Sequence, residues 1–205
     1  MSLSITVFTE IVGPENVLTG QAAAPYLEDW TGQYSGEAHA VVRPANVEEV
    51  SALVLAACGL GIPITVQGGN TSVSGGSVPV RPGGIVISMA RMNRIRETDP
   101  AARTTTVDAG VVVQTLQDKV AEHSLDFPLM FGARGSAMIG GVLATNAGGA
   151  NVLRYGNTRD LCLGVEAVLP NGRIVRDLSG LRKNNTGYDL KNLLVASEGT
   201  LGIIT

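Results

Sequence analysis

Residues 64–79 read Ile64-Thr65-Val66-Gln67-Gly68-Gly69-Asn70-Thr71-Ser72-Val73-Ser74-Gly75-Gly76-Ser77-Val78-Pro79. The apolar run 62–66 before the glycines predicts a buried strand, and a second apolar run at 85–88 predicts another. Glycine can adopt positive φ and leaves backbone N–H groups uncovered, and successive N–H groups form a concave anion site. Residues 67–77, here called the glycine loop, carry no charged side chain. Its polar side chains would add further donors at Asn70, Thr71, Ser72 and Ser74.

One other interpretation of the glycine loop follows from its residues. A flexible glycine- and serine-rich linker has this composition, but such linkers are not usually set between two apolar strands. The standard phosphate motifs do not match, because Gly68-Gly69-Asn70-Thr71 breaks the G-x-G-x-x-G spacing and no lysine follows the glycines. The uncovered N–H groups and polar side chains of the loop nevertheless predict that it binds a phosphate or a pyrophosphate.

The segment before the glycine loop predicts a strand, a helix and a strand. Residues 40–44 are strand-like, and Asn46 with Glu49 three residues later forms a capping-box pattern. The helix carries one apolar face and is expected to end at Gly59; that face consists of Val47, Val50, Leu53, Val54 and Ala57. Residues 3–29 contain helix-compatible pieces, including 17–24, and predict a helical lead. A β-α-β unit of this kind presents its last loop where ligands bind in α/β folds.

The second half of the chain mixes strands and short helices. Strands are predicted at 104–110 and 201–205, a helix at about 114–123, a hairpin with an Asn-Gly turn at 165–176, and a helix at 190–196. Residues 135–149, here called the second glycine segment, include the pair Gly140-Gly141 inside an apolar run. A helix with paired glycine is intrinsically poor. The pair is explained either by close approach to a flat ligand or by close helix-to-sheet packing without a ligand.

Composition excludes several classes of protein. The chain has 205 residues, 44% of them hydrophobic, and its formal charge of −3 does not favour nucleic-acid binding. No apolar run is long enough to span a membrane. Cys58 and Cys162 are predicted to be buried, reduced thiols, which suits the cytoplasm. No metal-ligand spacing and no acid, base or nucleophile constellation is visible, so a bound cofactor is expected to supply the chemistry.

Residues 67–79 resemble the pyrophosphate loop of the FAD-binding domain of vanillyl-alcohol oxidase-type flavoproteins. Four further segments, 135–141, 144–149, 153–156 and 197–205, are similar to the same family. The segment Leu181-Arg182-Lys183-Asn184-Asn185-Thr186-Gly187-Tyr188-Asp189-Leu190-Lys191 resembles the branch of D-2-hydroxyglutarate and D-lactate dehydrogenases, which are glycolate oxidase subunit-like. The resemblance runs from about Ala40 to Thr205.

The resemblance implies an α+β fold in two lobes, a small parallel β-α-β lobe and a larger lobe with a mixed or antiparallel sheet and helices. It implies a helical lead and connector over residues 1–36 and an FAD-binding domain over 37–205, divided into lobes at 37–98 and 99–205. The second lobe would be truncated at its C-terminal end, and a following substrate domain, which holds the catalytic histidine in the family, would be absent.

FAD is expected to lie between the lobes without a covalent link. The cofactor-binding residues implied by the resemblance are Gln67, Gly68, Gly69, Asn70, Thr71, Ser72, Val73, Ser74, Gly135, Ser136, Gly140, Gly141, Thr145, Asn146, Gly148, Gly149, Tyr155, Gly202 and Ile203.

The expected activity is hydride transfer from a D-2-hydroxy acid to FAD, with no catalytic or metal-binding residue in this chain and no turnover by this part alone. Two alternatives stay open at this point. One is a non-catalytic module that binds another nucleotide diphosphate, and the other is a structural α/β domain whose glycines serve packing.

Overall fold

The computed structural model describes residues 3–205 and confirms the predicted α+β class. The first lobe contains a four-stranded sheet with the order β1-β2-β4-β3. Its strands are β1 (Val17–Leu18), β2 (Ala38–Val42), β3 (Ile64–Gln67) and β4 (Gly84–Ser88). β4 pairs in parallel with both β2 and β3, whereas β1 pairs antiparallel with β2. The glycine loop follows β3 directly and therefore lies at the edge of the sheet where the parallel strands have their C-terminal ends.

Helix α2 (Val47–Leu60) connects β2 to β3 and buries the predicted apolar face. The Asn46 side chain accepts a hydrogen bond from the Glu49 N–H at 2.8 Å, while the Glu49 carboxylate accepts from the Ala45 N–H at 2.8 Å. The predicted end at Gly59 was wrong. The helix continues to Leu60, because Gly61, with φ of 65°, is the residue that takes the left-handed conformation which ends helices.

The N-terminal part packs on this lobe. Helix α1 (Leu3–Val12) contacts α2 and buries Phe8 and Val12 in the core. The helical prediction for residues 17–24 was wrong, because Val17–Leu18 forms β1 and pairs with Val41 and Val42 of β2. The helical elements between β1 and β2 are two short 3₁₀ turns, Gly20–Ala22 and Ala24–Tyr26.

The second lobe has two antiparallel sheets. β5 (Ile95–Asp99) and β6 (Thr104–Val107) form a hairpin, and β7 (Val165–Val168), β8 (Ile174–Asp177) and β9 (Ile203–Ile204) form a sheet with the order β8-β7-β9. The helices of this lobe are α3 (Val113–Ala121), α4 (Ile139–Ala144), α5 (Val152–Tyr155), α6 (Thr158–Leu161) and α7 (Lys191–Leu194). The β5–β6 hairpin spans residue 98, where the sequence predicted the division between lobes.

An ion-pair network joins the two sheets of the second lobe. Asp108, which is fully buried, accepts from Arg94 at 2.9 Å and from Arg96. Glu166 accepts from Arg96 at 2.8 Å and from Arg176. Burial raises the pKa of each carboxyl group, but the hydrogen bonds and charges of the arginines outweigh it, so the pKa of Asp108 and that of Glu166 lie below their ordinary values. The network fixes the sheets on which the second glycine segment packs.

One buried hydrophobic cluster spans both lobes. Val168 of β7 and Ile203 of β9 belong to the same buried cluster as Ile85 of β4. Across the lobes, the Ser51 hydroxyl donates to the Gly172 carbonyl at 2.6 Å. The lobes therefore hold a fixed relative position.

The prediction that Cys58 is buried was wrong, because Cys58 lies on the exposed side of α2. Cys162 is half-buried, and burial raises the pKa of its thiol. Within residues 3–205, no helix combines the length and the apolar character needed to cross a bilayer.

Candidate cofactor site

The glycine loop and the second glycine segment meet in the structure. A Cβ added at Gly69 would overlap the Ser136 carbonyl oxygen. A Cβ added at Gly68 would lie 3.4 Å from the Met138 Cβ and 3.7 Å from the Gly141 N. The two segments therefore pack backbone to backbone at the junction of the lobes, and Gly69 is required for this close approach.

Two polar side chains of the glycine loop bind the protein itself. The Gln67 amide, which is 2% exposed, donates to the Tyr26 carbonyl at 3.0 Å and to the Ser77 carbonyl at 2.9 Å. The Asn70 amide donates to the Glu28 carbonyl at 2.7 Å and accepts from the Ser77 hydroxyl at 2.7 Å. Gln67 and Asn70 therefore set the shape of the loop.

Backbone N–H groups are the available donors of the glycine loop. Within residues 3–205, the N–H groups of Gly69 to Val73 have no protein acceptor, whereas the Ser74 N–H donates to the Ser72 hydroxyl at 3.2 Å. The Ser72 and Ser74 hydroxyl oxygens lie 3.0 Å apart on the exposed side. Adjacent free N–H groups without a nearby cation can bind a phosphate oxygen through their dipoles.

Neither Gly68 nor Gly69 has a positive φ. It occurs at Asn70, with φ of 50°, and at Gly75, with φ of 74°. The Tyr34 ring covers Gly75, since an added Cβ would lie 2.7 Å from the Tyr34 Cγ. Asparagine tolerates this conformation better than most residues, and here its side chain is held on both sides.

The two glycines of the pair Gly140-Gly141 in α4 have different surroundings, and each fits one of the two predicted explanations. A Cβ at Gly140 would lie 2.7 Å from the Ala109 Cβ, so Gly140 serves helix packing. A Cβ at Gly141 would meet nothing within 4 Å, and the same holds for Gly135. Gly141 therefore leaves open space beside the glycine loop, as close approach of a ligand requires.

The other predicted glycines serve close packing. A Cβ at Gly149 would overlap the Met130 carbonyl oxygen. A Cβ at Gly148 would lie 2.8 Å from the Asn157 Oδ1, and one at Gly202 would lie 3.0 Å from the Val168 carbonyl oxygen.

The remaining predicted residues bind or pack against parts of the protein other than the glycine loop. Ile203 is 5% exposed and belongs to the core. Asn146, with φ of 48°, accepts from the Arg159 N–H at 2.9 Å, and the Thr145 hydroxyl donates to the Gly141 carbonyl at 3.0 Å. The Arg154 Cζ lies 5.2 Å from the centroid of the Tyr155 ring. Tyr155 also lines a cavity of about 1120 Å³, to which no residue of the glycine loop contributes.

Sequence reasoning missed two contributors to the junction, Tyr34 and Glu198. The Glu198 Oε2 lies 3.5 Å from the position a Cβ would take on Gly76. The segment 197–205 resembles the family in sequence, and the resemblance implied cofactor binding at its end, Gly202 and Ile203, and not at Glu198. The long-range contact with Gly76 leaves no local pattern that could have indicated Glu198.

The junction fits a dinucleotide with a pyrophosphate. It offers free N–H groups, open space at Gly141, and side chains that hold the loop in place. Within residues 3–205, no cluster of three metal-ligating side chains occurs.

Comparison with known families and proteins agrees with this geometry. The family model described as FAD binding domain matches residues 38–177. D-2-hydroxyglutarate–pyruvate transhydrogenase of Saccharomyces cerevisiae is 39% identical over all of this chain and 42% of its own length. Mitochondrial D-2-hydroxyglutarate dehydrogenase of Bos taurus is 41% identical over 96% of this chain and 36% of its own length. The chain thus spans well under half the length of these relatives.

Solved structures share the fold at lower identity. Alkyldihydroxyacetonephosphate synthase superposes with a TM-score of 0.86 at 24% identity, covering 98% of this chain and 38% of the synthase. 6-Hydroxy-D-nicotine oxidase from Arthrobacter nicotinovorans superposes with a TM-score of 0.74 at 22% identity, covering 92% of this chain and 40% of the oxidase. Because the family model matches most of its length, the chain belongs to the FAD-binding domain family.

Proposed function

We propose that this chain is the FAD-holding part of an oxidoreductase that oxidises a D-2-hydroxy acid of the D-2-hydroxyglutarate or D-lactate type. The observation that carries the proposal is the packing of the glycine loop, whose N–H groups at Gly69–Val73 have no protein acceptor, against the second glycine segment, in which Gly141 faces open space. The names of the relatives that match the chain over nearly all of its length support the substrate class. FAD, when bound, would accept the hydride from the carbon that carries the hydroxyl group.

In this proposal the backbone of the glycine loop binds the pyrophosphate. A hydrogen bond to a charged group contributes about 1.5–3 kcal/mol, so a few such bonds supply much of the affinity. Gln67 and Asn70 hold the loop in its bound shape before the cofactor arrives, which lowers the entropic cost of binding.

The predicted cofactor-binding set thus divides by role. We propose that the backbone of residues 69–74, with Gly135, Ser136 and Gly141, faces FAD, while the side chains of Gln67 and Asn70 hold the glycine loop in shape. We also propose a lead over residues 1–36, whose strand β1 completes the sheet of the first lobe, and lobes at 37–98 and 99–205, which divide within β5.

We also propose that FAD is bound without a covalent link. The glycine loop contains no histidine or cysteine. The Cys162 thiol donates to the Gly164 carbonyl at 3.3 Å, and its raised pKa disfavours the thiolate that could attack a flavin. Acid precipitation of the flavin-loaded chain is expected to leave the flavin in the supernatant. Flavin that remains with the precipitated protein would contradict this assignment.

The chain alone is proposed to lack turnover. Removal of the hydroxyl proton needs a positioned base. His39 lies in β2 with its Nε2 near Gly83, and His123 follows α3, so neither belongs to the glycine loop or to the second glycine segment. Substrate orientation and the base would come from a further domain of the kind implied by the longer relatives. The cytoplasm remains the proposed location, although the name of the bovine relative includes mitochondrial.

The test combines binding and turnover. The purified chain is loaded with FAD, and reduction of a dye is followed with D-2-hydroxyglutarate and with D-lactate. We expect retained flavin and a rate no higher than that of free FAD. Bleaching of the flavin by either substrate would show that this chain contains the complete active site. Failure to retain FAD, with tight binding of another nucleotide diphosphate, would favour the alternative binding module.

A further inference from the structure

A short hairpin in the N-terminal part of the chain, residues 28–35, packs against the glycine loop. An antiparallel bridge joins the two ends of the hairpin. The Glu28 carbonyl at its start accepts from the Asn70 amide at 2.7 Å. The Tyr34 ring near its end covers Gly75, where an added Cβ would lie 2.7 Å from the Tyr34 Cγ. The hairpin therefore contacts the glycine loop at two places, one near each end of the loop.

Asp29 holds this hairpin together from the inside and is only 5% exposed. Its Oδ1 accepts from the Gln33 N–H at 3.0 Å and from the Tyr34 N–H at 3.1 Å. Its Oδ2 accepts from the Thr31 hydroxyl at 2.7 Å. Hydrogen bonds to an ionised acceptor are stronger than bonds between neutral groups. One carboxylate thus fixes the backbone that carries the Tyr34 ring.

The charge of Asp29 does not favour a phosphate ligand. Within residues 26–36 the charged side chains are those of Glu28 and Asp29, and both are negative. A carboxylate in this hairpin would repel a pyrophosphate bound to the glycine loop. If Asp29 contributes to binding, it does so through the shape that it gives to the hairpin.

The glycine loop needs such support from outside. In the part of the chain that the structure describes, the N–H groups of residues 69–73 make no hydrogen bond to the protein, so no backbone ladder holds the loop. A loop that is ordered only when its ligand arrives loses conformational entropy in the binding step, which lowers the affinity. Contacts that order the loop beforehand remove this cost.

We propose that Asp29 is a positioning residue, which keeps the 28–35 hairpin packed on the glycine loop and so holds the loop in its binding conformation before the cofactor arrives. This inference rests on the proposed function, because it takes the glycine loop as the pyrophosphate site. Asp29 acts through the Tyr34 ring and the Glu28 carbonyl and contacts no part of the cofactor itself.

Three variants and a control test the proposal. Asp29→Ala removes all three acceptor bonds, whereas Asp29→Asn removes the charge and keeps an oxygen for the two N–H groups. Tyr34→Ala removes the ring over Gly75 and leaves the hydrogen bonds of the hairpin in place. Asp99→Ala is the matched control, because Asp99 accepts from two backbone N–H groups of the β5–β6 turn at 2.9 Å and 3.0 Å. Titration with FAD and with inorganic pyrophosphate gives the dissociation constants, and urea unfolding gives the stabilities.

Trp30 reports on the hairpin directly. It is the single tryptophan of the chain, follows Asp29 and is 64% exposed. In the parent chain we expect the same tryptophan fluorescence anisotropy with and without saturating pyrophosphate, because the hairpin is ordered in both states. In Asp29→Ala the anisotropy should be lower without the ligand and should rise toward the parent value when pyrophosphate binds. A residue that served only the stability of the fold would not produce this dependence on the ligand.

Asp29→Ala and Tyr34→Ala are expected to bind FAD and pyrophosphate about tenfold more weakly than the parent chain. Asp29→Asn should stay within about threefold of the parent, because its oxygen accepts the same N–H bonds less strongly. Asp99→Ala should bind both ligands like the parent.

An Asp29→Ala variant that binds pyrophosphate as tightly as the parent, or more tightly, would overturn the proposal, and so would an Asp29→Asn variant as weak as Asp29→Ala. If Asp29→Ala does not fold, Tyr34→Ala decides, and an unchanged affinity in that variant would overturn the proposal. A parent chain that binds neither FAD nor pyrophosphate would overturn the proposed function and this inference with it.

Discussion

Substituting alanine for each glycine of the pair Gly140-Gly141 should have opposite effects on the fold. In Gly140→Ala the new methyl group would lie 2.7 Å from the Ala109 Cβ and 3.2 Å from the Ala109 carbonyl oxygen. Both neighbours are rigid, because Ala109 is buried and its carbonyl accepts from the Gly140 N–H at 2.7 Å. In Gly141→Ala the methyl group would enter open space.

The magnitudes follow from packing and helix propensity. Alanine is favoured over glycine inside a helix by up to about 1 kcal/mol, and this gain applies to both variants. Overpacking a core costs about 1–3 kcal/mol and applies to Gly140→Ala alone. The free energies of unfolding should therefore differ by about 1–3 kcal/mol, with Gly141→Ala the more stable variant.

FAD binding should show the reverse order. The methyl group of Gly141→Ala would occupy the space proposed for the cofactor, so we expect FAD affinity to fall at least tenfold, or about 1.4 kcal/mol. Urea unfolding measures the stabilities, and titration with FAD measures the affinities. Equal stabilities would refute the packing role of Gly140. A Gly141→Ala variant that binds FAD like the parent chain would refute the placement of the cofactor.

Two further predictions concern the groups that hold the site. Because the arginines lower the pKa of Asp108 and of Glu166, these carboxylates stabilise the fold above their unfolded pKa values of about 4, and this stability is lost as the pH falls through the lower folded values. The urea midpoint should therefore decline below about pH 5, and Asp108→Asn should show a shallower decline; equal slopes in both proteins would count against the network. Gln67→Leu should lower the free energy of unfolding by about 1–3 kcal/mol, because it leaves the Tyr26 and Ser77 carbonyls without their donor, and should weaken FAD binding by loosening the loop. A Gln67→Leu variant that is measurably destabilised but binds FAD with normal affinity would show that the loop shape held by Gln67 is not needed for binding.

Local patterns predicted the elements that local interactions determine. The cap at Asn46 and the apolar face of α2 followed from residues within one or two helical turns. The end of the same helix could not be chosen between Gly59 and Gly61, because either glycine can end a helix and the tertiary fold decides which one does.

Long-range contacts account for what the sequence could not predict. Gly140 and Gly141 are alike in sequence, and only the position of Ala109 on a neighbouring segment gives them different roles. In the same way, the contact between Glu198 and Gly76 joins residues from different lobes. Ile203 shares its segment with the exposed Glu198 but is buried in the core, a difference that a motif match does not reveal.

Titration of the apo chain with FAD and with FMN tests the central claim most directly, because FMN ends in a monophosphate and lacks both the pyrophosphate that the glycine loop is proposed to bind and the adenosine beyond it. The claim predicts saturable binding of one FAD per chain, and an FMN affinity at least tenfold lower, which corresponds to about 1.4 kcal/mol. Equal affinities for FAD and FMN, or no saturable binding of FAD, would contradict it.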